Sequence, residues 1–254
     1  MTDIQQAAVS YECPEHAFKD RIILVTGAGD GIGRAAALAL AKYGATVILL
    51  GRTQEKLEAV YDEIKAMGAP EPAMAPVNLE VARPADYEEL AGMLGDAFGR
   101  LDGILHNASI LGEITPIDQY SYGTWESVMQ VNINAPFFLT RSLLPLLKDS
   151  ADASVLFTTS SVGRKGRAFW GAYAVSKFAT EGLMQVLADE LENVAPSRVN
   201  CINPGATATK MRALAYPAED ASNLKRPEDI LAAYLYLLGP AGKGVNGQSL
   251  NAQG

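Results

Sequence analysis

The 254-residue sequence has few of the residues that build disulfide frameworks, metal centres and histidine-dependent active sites. Its two cysteines, Cys13 and Cys201, are far apart and form no Cys-x-x-Cys pair, so they indicate neither a disulfide scaffold nor a zinc ribbon. With only two histidines, His16 and His106, the sequence argues against multi-histidine metal sites and a Ser-His-Asp triad. We expect no metal site, and the chemistry has to rest on other side chains.

The sequence also lacks an excess of positive charge and a long apolar run. It has 21 lysine and arginine residues against 29 aspartate and glutamate residues, which gives a net charge of −8. Such a balance offers no basic surface for a phosphate backbone. The first residues, MTDIQQAAVSYEC, show no basic stretch followed by an apolar one, and no apolar run approaches the ~20 residues that span a bilayer. We therefore expect a cytoplasmic protein whose partners include neither nucleic acid nor a membrane.

The sequence does contain a regular alternation of short apolar runs and longer amphipathic stretches. Strands are predicted at residues 21–26, 45–50, 72–78, 101–107, 153–158 and 197–202. Helices are predicted at residues 32–43, 54–67, 84–98, 125–148 and 173–193. Because the predicted strands are apolar nearly throughout, both faces of the sheet are expected to be buried, as in parallel sheets. The alternation predicts one α/β domain at residues 21–254, a doubly wound parallel sheet with helices on both faces, after an N-terminal tail at residues 1–20.

A glycine-rich segment, TGAGDGIG at residues 26–33, joins the first predicted strand to the first predicted helix. Glycines also occur in ordinary turns, but a strand before the segment and a helix after it favour a dinucleotide site. There the glycines let the backbone approach a pyrophosphate, and the helix N-terminus offers free amides to that anion. Ligands of doubly wound sheets bind at the carboxyl ends of the strands, so we expect the site at that edge.

A second segment, TTSSVGRKGRAFWGAYAVSK at residues 158–177, contains serines, a tyrosine and a lysine. Tyr173 and Lys177 are four residues apart at a helix start, so their side chains share one face. Because an ammonium group stabilises a phenolate, we expect Lys177 to lower the pKa of Tyr173 from about 10 into the range of a general acid or base. The alternative is an ordinary helix with an exposed lysine and a packed tyrosine.

Further motifs lie between and after these two segments. Asn107 and Ala108 follow the fourth predicted strand, Asn132 lies in VMQVNINAPF, and NPG at residues 203–205 follows the sixth strand. Together with the TGxxxGxG spacing, these motifs resemble the short-chain dehydrogenase/reductase family from about residue 21 almost to the last residue, which implies a Rossmann-like fold. SSVGRKGRAFWGAYAVSKFATEG and the short C-terminal region resemble, more narrowly, the YciK-like oxidoreductases of Gram-negative bacteria. That narrower resemblance implies no substrate.

The resemblance implies four catalytic residues, namely Asn132, Ser160, Tyr173 and Lys177. The family serine stands thirteen residues before the tyrosine and three before a glycine, which fits Ser160 and not Ser161. Ser160 would bind the substrate oxygen, and Asn132 would hold a water near Lys177, unless it serves only to cap or bend a helix. The implied reaction is hydride transfer between a nicotinamide and a carbonyl or alcohol carbon, with Tyr173 as general acid or base.

The end of the second strand, LLGRT at residues 49–53, bears on the choice of nicotinamide cofactor. Gly51 stands where an NAD enzyme usually has an acid for the ribose 2′-hydroxyl, whereas Arg52 offers a planar fork suited to a 2′-phosphate. NADP(H) is therefore expected to be preferred over NAD(H), although Asp30 argues mildly for NAD(H) unless it caps the following helix. By the resemblance, the cofactor-binding residues are Gly27, Asp30, Gly31, Ile32, Gly33, Arg52, Asn78, Leu79, Asn107, Ala108, Tyr173, Lys177, Pro204, Gly205, Thr207 and Thr209.

The substrate is less defined by the sequence. The segment from Met211 onward is expected to cover the pocket, and the substrate is expected to be a small carbonyl or alcohol compound. Arg164, Arg167 and Trp170 lie between Ser160 and Tyr173. The arginines either attract an anionic group or make surface or subunit contacts, and the sequence leaves both readings open.

The resemblance also implies a homodimer or homotetramer, in which the helices that begin near Trp125 and Tyr173 pair across a two-fold axis. Apolar residues of the second helix are compatible with this pairing and equally with a core; these are Phe178, Leu183, Met184 and Leu187. A different function remains open, that of a catalytically idle dinucleotide-binding redox sensor or partner-binding protein. A serine hydrolase is a weaker alternative, because GxSxG is missing.

Overall fold

The strands form one parallel sheet in a computed structural model that describes residues 3–254. In chain order they are β1 (Ile22–Thr26), β2 (Thr46–Gly51), β3 (Ala73–Pro76), β4 (Gly103–His106), β5 (Ala153–Thr158), β6 (Ser197–Asn203) and β7 (Ser249–Asn251). Their order across the sheet is β3-β2-β1-β4-β5-β6-β7. The strand order reverses between β1 and β4, and this reversal opens a crevice at the carboxyl ends of the strands.

The helices connect the strands and cover both faces of the sheet. They are α1 (Asp3–Val9), α2 (Gly31–Lys42), α3 (Gln54–Ala66), α4 (Pro84–Phe98), α5 (Tyr122–Met129), α6 (Ala135–Lys148), α7 (Gly171–Leu191), α8 (Lys210–Ala215) and α9 (Leu231–Leu238). A π-helical segment, Gln130–Asn134, joins α5 to α6. The predicted fold class is confirmed: the protein is a single-domain, Rossmann-like α/β protein.

The two hydrophobic layers follow from the alternation of side chains along each strand. In β1, Ile23 and Val25 pack into the layer that contains α1, α2, α3 and α9, while Ile22 and Leu24 pack into the layer of α4, α6 and α7. Central strands such as β1 and β5 are buried throughout, as their apolar sequences predict. β3 lies at the sheet edge and is partly exposed.

Residues 3–20, most of the predicted N-terminal tail, make contacts with the rest of the domain. Gln5 in α1 donates from Nε2 to the Asn251 carbonyl oxygen at 2.7 Å and accepts from the Asn251 amide at 2.8 Å. Ala8 and Phe18 are fully buried in the core. Residues 3–20 therefore pack onto the domain, because their apolar side chains complete the layer that also contains α9.

The structure also describes the cysteines, possible metal-binding clusters and the apolarity of the helices. Cys13 and Cys201 are free thiols. Within residues 3–254, no cluster of three or more histidine, cysteine, aspartate or glutamate side chains has a metal-binding arrangement. Over the same residues, none of the helices has the length and apolarity required to cross a membrane.

Candidate functional site

The residues predicted for the site meet at the carboxyl edge of the sheet. The glycine-rich turn follows β1, Asn107 follows β4, Ser160 lies two residues beyond β5, and Pro204 follows β6. These four strands are neighbours in the sheet, so the loops after them share one crevice.

The glycine-rich turn packs too closely for side chains at two of its glycines. A Cβ atom at Gly33 would collide with the Gly27 carbonyl oxygen and with the amide nitrogen of the Asn107 side chain. Gly27 has a φ of 69°, and a Cβ atom there would lie 3.1 Å from the Ala108 Cα atom. Thr26 Oγ1 accepts hydrogen bonds from the Asn107 and Ala108 amides, both at 3.0 Å. The turn and the end of β4 therefore form one rigid cradle with exposed backbone at a helix start.

Asp30 caps α2, since its Oδ1 accepts from the Gly31 amide at 2.9 Å. This geometry agrees with the helix-capping explanation for an acid in the turn. The same carboxylate accepts from Lys56 Nζ at 2.6 Å and from Lys210 Nζ at 2.7 Å. Hydrogen bonds from Lys210 and Lys56 lower the pKa of Asp30 to about 2. Two cations thus stand beside a turn whose own sequence contains none.

Arg52 lies on the same side of the crevice, directly after the last residue of β2, and its side chain is exposed. Lys56, in the first turn of α3, packs against Gly29 of the glycine-rich turn. A Cβ atom at Gly29 would lie 2.9 Å from the Cβ atom of Lys56. Asn78 is exposed after β3 and accepts from the Glu80 amide at 3.2 Å, while Leu79 is buried. Lys56 is not among the residues that the sequence predicts for the site.

The two serines after β5 differ in their surroundings. Ser160 is half-buried and begins a short turn, where its Oγ accepts from the Val162 amide at 3.4 Å, whereas Ser161 is exposed. A Cβ atom at Gly163 would lie 2.8 Å from the Lys177 backbone and side chain. The spacing from serine to glycine therefore has a physical basis, since only glycine lets this loop rest on α7 beside Lys177.

Tyr173 and Lys177 lie on one face of α7 and are both buried, with 8% and 3% of their surfaces exposed. Lys177 Nζ lies 5.4 Å from the centre of the Tyr173 ring and donates to the Thr158 carbonyl oxygen at 2.8 Å. Burial raises the pKa of Tyr173 to about 12, against the effect of a hydrogen bond with Ser160. Burial also lowers the pKa of Lys177 to about 8.

The prediction that Lys177 lowers the pKa of Tyr173 is therefore wrong for this structure. The cost of burying a phenolate is the largest cause of the raised pKa, and it exceeds the lowering effect of the hydrogen bond with Ser160. As a result, the tyrosine carries its proton at neutral pH.

Asn132 lies in the π-helical segment and is almost completely buried. Its side chain accepts from the Ile110 amide at 2.9 Å and donates to the Ile110 carbonyl oxygen and to Ser176 Oγ, both at 3.0 Å. Ser176 Oγ in turn donates to the Tyr173 carbonyl oxygen at 2.8 Å. Asn132 thus stands at an irregularity of the helix and also links the loop after β4 to the first turn of α7. Ser176 is a residue that the sequence analysis missed.

The loop after β6 is held by a residue near the C-terminus. Gln253 Nε2 donates to the carbonyl oxygens of Pro204 and Ala206 at 2.8 and 2.9 Å. Gly205 has a φ of 72° and faces the Gln253 side chain, and Thr207 is buried, donating to the Pro204 carbonyl oxygen at 3.2 Å.

The same loop ends at Thr209, beside the glycine-rich turn. A Cβ atom at Gly31 would lie 3.6 Å from Thr209 Cγ2, and Thr209 Oγ1 caps α8 by accepting from the Arg212 amide at 3.1 Å. Ile32 is half-buried in the first turn of α2. The structure therefore brings the loop after β6 to the cradle, whereas the sequence gives no signal for the role of Gln253.

Arg164 and His106 both make contacts within the domain. The Arg164 guanidinium group donates to Ser249 Oγ, Asn251 Oδ1 and Glu181 Oε1, at distances between 2.7 and 3.4 Å. Arg164 therefore links β7 to α7.

His106 is buried and stacks on Phe157 with ring centres 4.7 Å apart, and burial lowers its pKa to about 3. This neutral, packed ring agrees with a structural role at the end of β4.

An apolar cluster lies beside Tyr173 and lines the rest of the crevice. Its buried members are Leu111, Val162, Trp170, Tyr173 and Ala174, and Met211, Ala215 and Tyr216 pack against them. The segment after Met211 thus covers the tyrosine, as the sequence suggests.

Comparison with known proteins identifies the family. A family model described as short chain dehydrogenase matches residues 21–220 of the chain. The chain belongs to the short-chain dehydrogenases. As a short-chain dehydrogenase it is an oxidoreductase of CH–OH and C=O groups, and the resemblance inferred from the sequence is confirmed.

Individual relatives of this short-chain dehydrogenase agree with the assignment. Oxidoreductase YciK of Escherichia coli is 51% identical over 96% of this chain and 96% of its own length. A short-chain dehydrogenase structure from Pseudomonas syringae has a TM-score of 0.95 at 59% identity, covering 96% of this chain and 99% of that one. A structure from Shigella flexneri, complexed with NADP, has a TM-score of 0.92 at 51% identity, covering 95% of this chain and 100% of that one.

Proposed function

We propose that the protein is an NADP(H)-dependent oxidoreductase that transfers a hydride between the nicotinamide and a small carbonyl or alcohol substrate. Tyr173 acts as the general acid or base, with Ser160, Lys177 and Asn132 as its partners. The observation that carries the proposal is the buried phenol of Tyr173, which is hydrogen-bonded with Ser160 and whose ring centre lies 5.4 Å from Lys177 Nζ, next to the glycine cradle.

The cradle fits a dinucleotide, because Gly27 and Gly33 leave backbone groups bare where a side chain would fill the space. NADP(H) rather than NAD(H) is supported by Arg52 at the end of β2 and by the relative from Shigella flexneri complexed with NADP. The chain would hold the cofactor through the turn at residues 27–33, Arg52, Asn78 and Leu79, Asn107 and Ala108, Tyr173 and Lys177, and the loop at residues 204–209. When bound, the nicotinamide supplies or accepts the hydride.

The residues of the chain handle the oxygen of the substrate and its proton. In reduction, Ser160 donates a hydrogen bond to the carbonyl oxygen, where negative charge develops as the hydride reaches the carbon. Tyr173 then gives its proton to that oxygen, which completes the alcohol. Lys177 stabilises the phenolate that remains, and Asn132 fixes the first turn of α7 through Ser176. Oxidation of an alcohol follows the same steps in reverse.

Replacement of Tyr173 tests this role. NADPH consumption by wild type and Tyr173→Phe is followed at 340 nm with a panel of aldehydes, ketones and diketones. We expect kcat to fall by a factor of at least ~100 in the variant, because the proton donor is lost, while NADPH affinity measured by fluorescence stays within a few-fold.

Two other results would contradict the proposal. Tight NADPH binding by the wild type without turnover of any panel member would favour the catalytically idle redox sensor. Hydrolysis of model esters that does not need NADPH would favour a hydrolase.

We also propose that the protein assembles as a homodimer or homotetramer through α6 and α7. Phe137, Val175, Phe178 and Val186 are large apolar side chains that these helices leave exposed. By contrast, Met184 and Leu187 are buried in the core of the chain, so they are not available for this pairing. Analytical ultracentrifugation of wild type and Phe178→Asp measures the oligomeric state. A monomeric wild type would contradict the proposal.

A further inference from the structure

The apolar cluster beside Tyr173 continues outward to a pair of arginines. The Trp170 ring lies 5.7 Å from the Tyr173 ring and 5.8 Å from the Tyr216 ring, measured between ring centres. Beyond Trp170, the Arg212 guanidinium group lies 3.8 Å from the centre of the Tyr216 ring, and Arg167 Nη1 donates to the Tyr216 hydroxyl at 2.7 Å. Trp170 and Tyr216 therefore form a continuous row of aromatic side chains from Tyr173 to this pair.

The two arginines differ in how their charge is balanced. Arg212 donates two hydrogen bonds to the Glu219 carboxylate, each at 2.5 Å, so a fixed anion compensates its charge. Within residues 3–254, Arg167 forms no ion pair with a carboxylate, and its hydrogen bond goes to the Tyr216 hydroxyl. Arg164, three residues earlier, is paired with Glu181. Arg167 therefore presents a positioned but uncompensated positive charge at the outer end of the cluster.

The loop that carries Arg167 is fixed in place by its backbone. Phe169 has a φ of 72°, which is unusual for a bulky side chain, and its carbonyl oxygen accepts from the Thr115 amide at 3.1 Å. A Cβ atom at Gly171 would collide with the Tyr120 ring. This conformation turns Trp170 inward, where 9% of its surface is exposed, and leaves Arg167 at the rim. Strained loops of this kind are found at functional sites.

We propose that Arg167 binds an anionic group of the substrate. On this basis, the substrate is a carbonyl or alcohol compound with an apolar or aromatic body and a carboxylate-type anion at the end opposite the reacting oxygen. The apolar body lies against Trp170, and the anion pairs with the guanidinium group of Arg167 and with the Tyr216 hydroxyl. This inference rests on the proposed function, because it places the reacting oxygen at Tyr173 and Ser160.

Binding to the NADP-loaded protein tests the inference without turnover. Calorimetry compares 3-phenylpropanoate with its neutral amide, 3-phenylpropanamide, on wild type, Arg167→Gln and Lys165→Gln. Lys165 is an exposed cation of the same loop and controls for the change in net charge. We expect the carboxylate to bind the wild type and Lys165→Gln at least ~10-fold more tightly than the amide, and Arg167→Gln to lose this preference. Equal binding of carboxylate and amide by the wild type would overturn the inference.

Kinetics with a matched pair of aldehydes gives the second readout. The pair is 3-(4-formylphenyl)propanoate and its methyl ester, reduced with NADPH. We expect Arg167→Gln to raise KM for the carboxylate by ~10- to 100-fold with little change in kcat, to leave the ester within about two-fold, and Arg167→Lys to be intermediate. An equal loss with both aldehydes would mean a structural role and overturn the inference. Reduction of the ester with no preference for the carboxylate would overturn it while leaving the proposed function intact.

Discussion

At the scale of single residues, Tyr173 and Lys177 are both buried, and burial moves their pKa values in opposite directions. The pKa of Tyr173 rises to about 12 and that of Lys177 falls to about 8, so each group shifts toward its uncharged form. Their sequence spacing predicts that the two side chains share a helix face. It does not reveal that Thr158 engages the ammonium group, since that contact depends on how β5 packs against α7.

The raised pKa of Tyr173 predicts a titration result for the protein without cofactor. Because the phenol keeps its proton well above its ordinary pKa of about 10, it is ready to act as an acid in reduction at neutral pH. Absorbance at 295 nm is followed against pH for wild type and Tyr173→Phe. The two curves are expected to coincide up to about pH 11.

The control is Tyr122→Phe, which removes an exposed tyrosine. It shows whether the absorbance change of a single tyrosine can be detected in this protein. A tyrosinate that forms near pH 8 and is missing from Tyr173→Phe would contradict the prediction.

The glycine cradle gives a second prediction at this scale. Gly33→Ala places a Cβ atom against the Gly27 carbonyl oxygen, so we expect a loss of about 1–3 kcal/mol in the free energy of unfolding and a large loss of NADPH affinity. Gly92→Ala, at an open position on α4, is the matched control and is expected to be neutral or to stabilise by up to ~1 kcal/mol. Calorimetric unfolding and NADPH titration measure both effects; wild-type NADPH affinity in Gly33→Ala would be inconsistent with the cradle.

At the scale of elements, the sequence predicts the long and strongly patterned segments well. β5 matches its predicted bounds because it is buried on both faces and apolar throughout. β7 has three residues with one buried side chain, which is too short for a pattern. The helix predicted at residues 125–148 is interrupted by the π-helical segment, since a single extra residue in a turn leaves little trace in an apolar periodicity.

The loop after β6 is held by a residue that lies outside every element predicted from the sequence. Gln253, just beyond β7, holds the loop through two carbonyl oxygens, so Gln253→Ala is expected to raise the Kd for NADPH by ~3- to 10-fold and to lower the melting temperature. Gln248→Ala removes a side chain of the same type on the other side of β7 and is expected to leave both quantities unchanged. Equal NADPH affinity in the two variants would show that this support does not matter for the cofactor.

At the scale of the whole molecule, several features depend on contacts between residues that are far apart in the chain, and such contacts cannot be predicted from the sequence. Lys210 reaches Asp30 across 180 residues, and Gln5 pairs with Asn251 across 246 residues. The prediction of Ser160 over Ser161 needs only local spacing and the family resemblance. Three other features could not be predicted, because each depends on the assembled sheet. They are the packing of the N-terminal segment, the contact of Lys210 with the glycine-rich turn and the position of Arg167.

The proposed reaction is centred on Ser160 and Tyr173, and the two adjacent serines provide its most direct test. The measurement is kcat/KM for NADPH-dependent carbonyl reduction by wild type, Ser160→Ala and Ser161→Ala. The half-buried Ser160 is expected to donate to the developing oxyanion, so Ser160→Ala should lose about 100- to 1,000-fold. The exposed Ser161→Ala should stay within about three-fold. Equal activity of the two variants, or a larger loss in Ser161→Ala, would contradict the account.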